Sequence, residues 1–178
     1  MYKSLSDMSL EELWRLFPVQ LKPHDNHWSE QYEKEKAALE KLLPHACIFH
    51  IGSTAVKGIW AKPIVDILAE VKDIEEACSV LEKDGWICMS VSPDRISLNK
   101  GYTPYGFAKE VFHLHLRRFG DRDEVYFCSF LNENPKIAKE YEELKLTLWE
   151  KYEFDRDGYT AAKTAFVKKY TLQAKKSD

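Results

Sequence analysis

The stretch from Cys47 to Val71 places the tightest constraint on how this chain can fold. CIFHI and PIVDILAEV are two short apolar runs, the second rich in branched residues at Ile64, Val65, Ile67 and Val71, and Gly52-Ser53 and Lys62-Pro63 separate them. Runs of this length and composition predict buried strands. Alternation along the second puts Ile64, Asp66, Leu68 and Glu70 on one face and Val65, Ile67, Ala69 and Val71 on the other. An aspartate amid so much apolar sequence is desolvated unless it meets a cation, a donor or the wall of an open cleft. Asp66 is therefore the first candidate for function.

The flanking sequence supplies the other layers. Ser9-Leu10-Glu11-Glu12 is a capping-box pattern that predicts a short helix ending before Pro18, and PVQL then reads as extended. From about Trp28 to Leu43 the apolar residues keep near one face, a surface helix stopped by Pro44. Asp73 with Glu76 is another capping box, followed by the stripe Ile74, Ala77, Cys78 and Leu81 and by Gly85 at the C-terminal cap position. WICMSV is a third strand, which makes a strand-helix-strand unit with a right-handed crossover if its two strands are parallel neighbours. Pro93, Gly101, Pro104 and Gly106 break up residues 92–109 into a hairpin or loops around RISL, and EVFHLHLRRF is a further strand. Asn134-Pro135 starts a helix bearing Ile137, Tyr141, Leu144, Leu148 and Tyr152; a last one from near Asp157 buries Tyr159, Ala162, Phe166 and Tyr170. The expected class is α/β (α+β), a mixed β-sheet of 4–5 strands flanked by about five helices. The chain reads as one domain with an N-terminal helical segment at 1–45, the sheet core at 46–120 and C-terminal helices at 121–175.

Charge narrows the function. Twenty-six Lys plus Arg are interspersed with 29 Asp plus Glu for a net charge of -3, so no broad cationic field exists to hold a long nucleic acid. A small phosphorylated ligand needs only a local cluster of donors. The four cysteines lack any CxxC spacing, and no signal peptide or membrane span is apparent, so a cytoplasmic location is expected. The tail QAKKSD reads as a frayed, solvated end.

The run HIGSTAVKGIWAKPIVDIL closely resembles the GrpB family, whose pattern is HIGST-S/A-VPG followed by a KP-hhDhh strand. LWRLFPVQL and Trp28 are similar to its N-terminal part, and HLHLRR to its paired-histidine strand. Tyr141 with Lys145, and Tyr159 with Lys163, resemble the Tyr and Lys positions of its C-terminal helices. The resemblance implies a nucleotidyltransferase-like fold, in which a Gly-Ser turn meets phosphate and carboxylates two apart on a strand hold two divalent ions. Carried over, Gly52, Ser53 and Thr54 meet phosphate, and Asp66 holds Mg or Mn with a nucleoside triphosphate; Zn is less expected.

The pattern breaks at the second carboxylate, where Leu68 stands. Glu70 shares the face of Asp66 as a candidate metal ligand, but four residues along a strand is roughly 13 Å, too far to share a small ion directly. On the later strand, Val111, His113, His115 and Arg117 share a face. With Asp66, the two histidines are candidates for holding one transition metal, for bonding a phosphate or for proton transfer; the alternative is a pair satisfied by structural hydrogen bonds. Lys62 reaches either phosphate or solvent. Lys145 and Lys163 lie four after a tyrosine on a shared helix face, as an anion-binding wall or as lysines lying over aromatic core. Lys57 replaces the usual proline, which is expected to loosen the turn, and Cys128 and Ser129 stand where the family tends to have Arg-Asp. Three readings follow: nucleotidyl transfer to a small acceptor, an inactive module binding a nucleotide or coenzyme A-like ligand, and a structural or interaction protein without a cleft.

Overall fold

The computed structural model describes residues 3–176. In chain order the elements are α1 (Leu10–Leu16), α2 (His27–Leu42), β1 (Cys47–Ile51), β2 (Val65–Val71), α3 (Ile74–Lys83), β3 (Ile87–Val91), β4 (Arg95–Thr103), β5 (Gly106–Arg118), α4 (Asp123–Glu133), α5 (Pro135–Tyr152) and α6 (Arg156–Lys176). The five strands form one mixed sheet in the order β1-β2-β5-β4-β3, with β2 and β5 parallel and every other pair antiparallel.

Alternation sorts the sheet into two unlike faces. Val65, Ile67, Ala69 and Val71 of β2, with Phe112, Leu114 and Leu116 of β5 and Ile96 and Leu98 of β4, join the buried residues of α2 and α3 in one core cluster. Leu39, Ile74 and Leu81 are fully enclosed there, each worth about 1.5–3 kcal/mol over its exposed state. The opposite face meets a second cluster, built from Val56, Ile59 and the helices α4, α5 and α6. Between that face and those helices the structure leaves a cleft.

Several expectations change. β2 and β3 are not neighbours: β5 and β4 lie between them, so the strand-helix-strand unit spans the sheet. Residues 92–109, expected as a hairpin or loops around RISL, belong mostly to a long β4–β5 hairpin, because a bulge at Gly101 absorbs the irregularity without ending the pairing. Gly101 has φ +92° and a Cβ there would collide with the Glu110 carbonyl, so only glycine fits. The six α-helices among the described residues accord with the expected count. Ala162 is exposed, while Thr171 and Ala174 are buried. The C-terminal tail is helical through Lys176 rather than frayed, and Ser177 and Asp178 lie outside the described residues. No helix among the described residues is long and apolar enough to cross a membrane.

Candidate functional site

The β2–β5 register places Asp66 opposite His113, Leu68 opposite His115 and Glu70 opposite Arg117. Asp66 Oδ1 lies 3.2 Å from His113 Nδ1 and 3.4 Å from His115 Nε2. Burial opposes ionisation of this carboxyl, yet the hydrogen bonds from His113 and His115 outweigh it and hold its pKa well below the usual carboxylate range. The other side of the carboxylate fits against the Gly52 backbone. A Cβ at Gly52 would sit 2.5 Å from Asp66 Oδ2, and the residue has φ +71°. The glycine after β1 is thus the seat of the aspartate, and the Gly-Ser turn and the Asp strand are one constellation.

Donor and acceptor roles around His113 follow from Arg156, which can only donate. Its Nη2 donates to the Tyr102 hydroxyl at 2.9 Å, so that hydroxyl spends its own proton on His113 Nε2 at 2.6 Å. His113 Nε2 is therefore the acceptor and its Nδ1–H points to Asp66. Burial pushes the His113 pKa down, in keeping with a neutral ring. Both ring nitrogens of His113 are committed. His115 donates from Nε2 to Asp66, and its Nδ1 is the ring's remaining proton acceptor.

Across the cleft stand the lysines. Lys163 lies 4.3 Å and Lys62 5.6 Å from the Tyr159 ring centroid, and Lys145 5.0 Å from that of Tyr141. Lys145 is 2% exposed and donates to the Trp60 carbonyl. Burial, with the mutual repulsion of Lys62, Lys163 and Arg156, pushes Lys62 down to about 7. Burial and Lys163 take Lys145 to about 7, and burial takes Lys163 to about 8. Lys62 and Lys163 feel the Asp66 charge, and Lys145 and Arg156 line the same cleft, an arrangement that offers cationic groups to an incoming anion.

The remaining sequence candidates divide. Ser53 lines the cleft and hydrogen-bonds Tyr141, within a single 3₁₀ turn over Ser53–Ala55. Thr54 is 2% exposed and bonds His50 Nε2 at 3.0 Å, and His50 in turn stacks on Tyr32, so these groups hold the turn. Glu70 and Arg117 are not brought to Asp66. Glu70 is enclosed, paired with Arg122 at 2.7 Å and accepting the Gly120 N–H; Arg117 is paired with Glu124 at 2.5 Å. The turn at Lys57 is not loose, because its N–H donates to Asn132 Oδ1 and Asn132 donates to the Ala55 carbonyl. Cys128 lines the cleft beside the Gly52 carbonyl, whereas Ser129 faces solvent. Tyr102 and Arg156 were missed by sequence reasoning: one sits at the far end of a hairpin and the other at a helix start, and only the fold joins them.

A pair of divalent ions does not fit these residues. One carboxylate is present, Leu68 is enclosed where the second would stand, and Glu70 is neutralised by Arg122. Asp66, His113 and His115 also do not converge as a triad of ligand atoms within 4.8 Å, a condition that Cys78, Glu82 and Cys88 on the other side of the sheet do meet. The cleft itself measures about 1430 Å³ and is lined by Gly52, Asp66, His115, Lys145, Lys163 and Arg156 among others. That concavity, with Gly52, Asp66 and His115 converging in it, removes the no-cleft expectation of the structural reading, while the bonds of His113 to Asp66 and Tyr102 match its other expectation, histidines satisfied by structural hydrogen bonds.

Comparison with known proteins bears on the family and the fold. Residues 18–173 match the family model described as GrpB protein. The glutamate-rich protein GrpB of Alkalihalophilus pseudofirmus is 37% identical over 84% of this chain and 91% of its own length. A UPF0157 protein of Deinococcus radiodurans is 32% identical over 88% and 82%, while the match to the UPF0157 protein YqkA of Bacillus subtilis spans 51% of that protein. The crystal structure of the conserved protein GrpB from Enterococcus faecalis superposes with a TM-score of 0.77 at 31% identity, covering 89% of this chain and 98% of that one. The Cid1 poly(U) polymerase, in a structure with Mg and 3'-dATP bound, shares the fold at a TM-score of 0.51 and 11% identity, over 86% of this chain and 51% of that one. The fold is nucleotidyltransferase-like, and the chain belongs to the GrpB family.

Proposed function

We propose that this protein binds a nucleoside triphosphate in the cleft and transfers its nucleotidyl group to a hydroxyl of a small acceptor. The observation that carries the reading is the gathering of Lys62, Lys145, Lys163 and Arg156 along one cleft, the three lysines desolvated, above a floor at which Asp66 is held by two histidines. Such a site is relieved by a polyanion that neutralises it, and a triphosphate supplies the charge in a compact form. The shared fold with Cid1, which binds 3'-dATP, gives the nucleotide its place as first candidate.

The chain's own groups divide the step. The acceptor O–H gives its proton to His115 Nδ1, and the Asp66 carboxylate stabilises the imidazolium that forms. The acceptor oxygen bonds to the α-phosphorus as the bond from that phosphorus to pyrophosphate breaks, and pyrophosphate leaves with its charge on the lysines. His113 positions Asp66 and is itself fixed by Tyr102 and Arg156. The working location is the cytoplasm, where free thiols such as Cys78 and Cys88 stay reduced.

A second reading, a module that binds the nucleotide without chemistry, is favoured by one observation: the enclosed Leu68 in place of a second carboxylate. Pyrophosphate release separates the two. Purified protein is incubated with each nucleoside triphosphate and a pool of small hydroxyl acceptors, with and without Mg, Mn and Zn, beside Asp66→Ala and His115→Gln. Release lost in both variants is the expected result. Triphosphate binding with no release under any condition leaves the binding module, and no binding sinks both readings.

A further inference from the structure

The cleft is larger than the phosphate end requires. At about 1430 Å³ it exceeds the roughly 300–1,000 Å³ of ordinary ligand pockets, and its character changes away from the lysines. Leu10, Leu13 and Trp14 of α1 and Ile87 and Met89 of β3 line the same cavity. Alternation explains Ile87, which pairs with Asn99 opposite His113 and so continues the face of the sheet that carries the site; Met89 stands at the irregularity between Cys88 and Ser90 and lines the same cavity.

Leu10, Ile87 and Met89 are exposed, and Leu13 and Trp14 are half-buried. Nine large apolar residues are markedly exposed among the described residues, and four of them, Leu10, Ile87, Met89 and Leu172, line this cleft. Helix α1 is well specified, with a full capping box at Ser9 and Glu12, yet none of its residues is buried. A seven-residue helix is marginal without packing on its apolar stripe, and here the stripe of Leu10, Leu13 and Trp14 looks into the cavity. Apolar surface concentrated at one end of a ligand cleft marks a binding subsite.

We propose that the ligand is amphipathic: a phosphorylated small molecule whose apolar group of several carbons packs between α1 and the exposed face of β3. The proposal rests on the reading that the lysine end holds phosphate. The occupant is a small molecule because the apolar walls and the phosphate end belong to one cavity, and one molecule reaching both satisfies each.

The test is calorimetric titration with inorganic phosphate, pyrophosphate and the butyl, hexyl and octyl monoesters of phosphate, each below its micelle concentration. Full burial of a methylene corresponds to roughly fourfold tighter binding, so affinity is expected to climb about two- to fourfold per added carbon. Met89→Asn and Leu13→Asn, at exposed and half-buried positions, should flatten that series and leave pyrophosphate binding unchanged; Lys163→Met should weaken every member. If the alkyl esters bind no better than inorganic phosphate, or the climb persists in the Asn variants, the apolar subsite is overturned while the phosphate reading stands. If neither pyrophosphate nor any ester binds, the phosphate reading falls and this inference with it.

Discussion

One strand carries both halves of the molecule. On one side of β2, Val65, Ile67 and Ala69 disappear under α2 and α3 with every apolar neighbour satisfied. On the other, one position along from Val65 and Ile67, Asp66 faces two histidines and a set of cations across a cleft. The first face is arranged for stability. The second works against stability, since desolvated lysines repel one another, and perturbed groups of this kind cluster at functional sites. That contrast separates a site from a core more sharply than any one motif.

The contrast can be broken from each side. Ile67→Ala should cost about 2–5 kcal/mol through the cavity it leaves, measured by urea unfolding, with ligand affinity of the folded fraction unchanged. Gly52→Ala should cost about 1–3 kcal/mol, because the Cβ meets Asp66 Oδ2 and the backbone is left-handed. Unlike the core variant, it should also abolish triphosphate binding in calorimetry. Lys163→Met should stabilise the ligand-free protein by about 0.5–1 kcal/mol by removing one member of the repelling set, while weakening triphosphate binding. A stability loss in that variant would mean the lysine serves the fold.

Titration of the two states with pH sharpens the comparison further. Lys62, Lys145 and Lys163 have folded pKa values of about 7, 7 and 8 against an ordinary 10.5. Between pH 7 and 9 the unfolded chain therefore binds more protons than the folded one, and stability of the ligand-free protein rises with pH. Above about 9 the raised pKa values of Cys78 and Cys128 oppose the trend. An anionic ligand needs the charged lysines, so its affinity should fall over the same interval. Melting curves and calorimetry at pH 6.5, 7.5 and 8.5 check for these opposite slopes.

Much of this was legible in the sequence because it depends on period. The alternation in PIVDILAEV and EVFHLHLRR put Asp66, His113 and His115 on inner faces, and their adjacency needed only that β2 and β5 pair, as they do. The capping boxes at Ser9 and Asp73 placed α1 and α3. What stayed hidden depends on long-range assembly. The sheet order that inserts β5 and β4 between β2 and β3 has no local signature. Nothing near Glu70 announces Arg122, and nothing near His113 announces Arg156. The bulge at Gly101 left a hairpin and loops both open, since the glycine that saves the pairing is the same residue type that ends it elsewhere.

The measurement that bears most directly on the account is the melting temperature of the wild-type protein and Lys163→Met, each with and without inorganic triphosphate at pH 6.5. Ligand at about a hundred times its dissociation constant adds roughly 2.7 kcal/mol, a rise of about 5–11 °C for a chain of this size. The account predicts that rise in the wild type and a much smaller one in the variant. No rise in the wild type, or an equal rise in both, would contradict it.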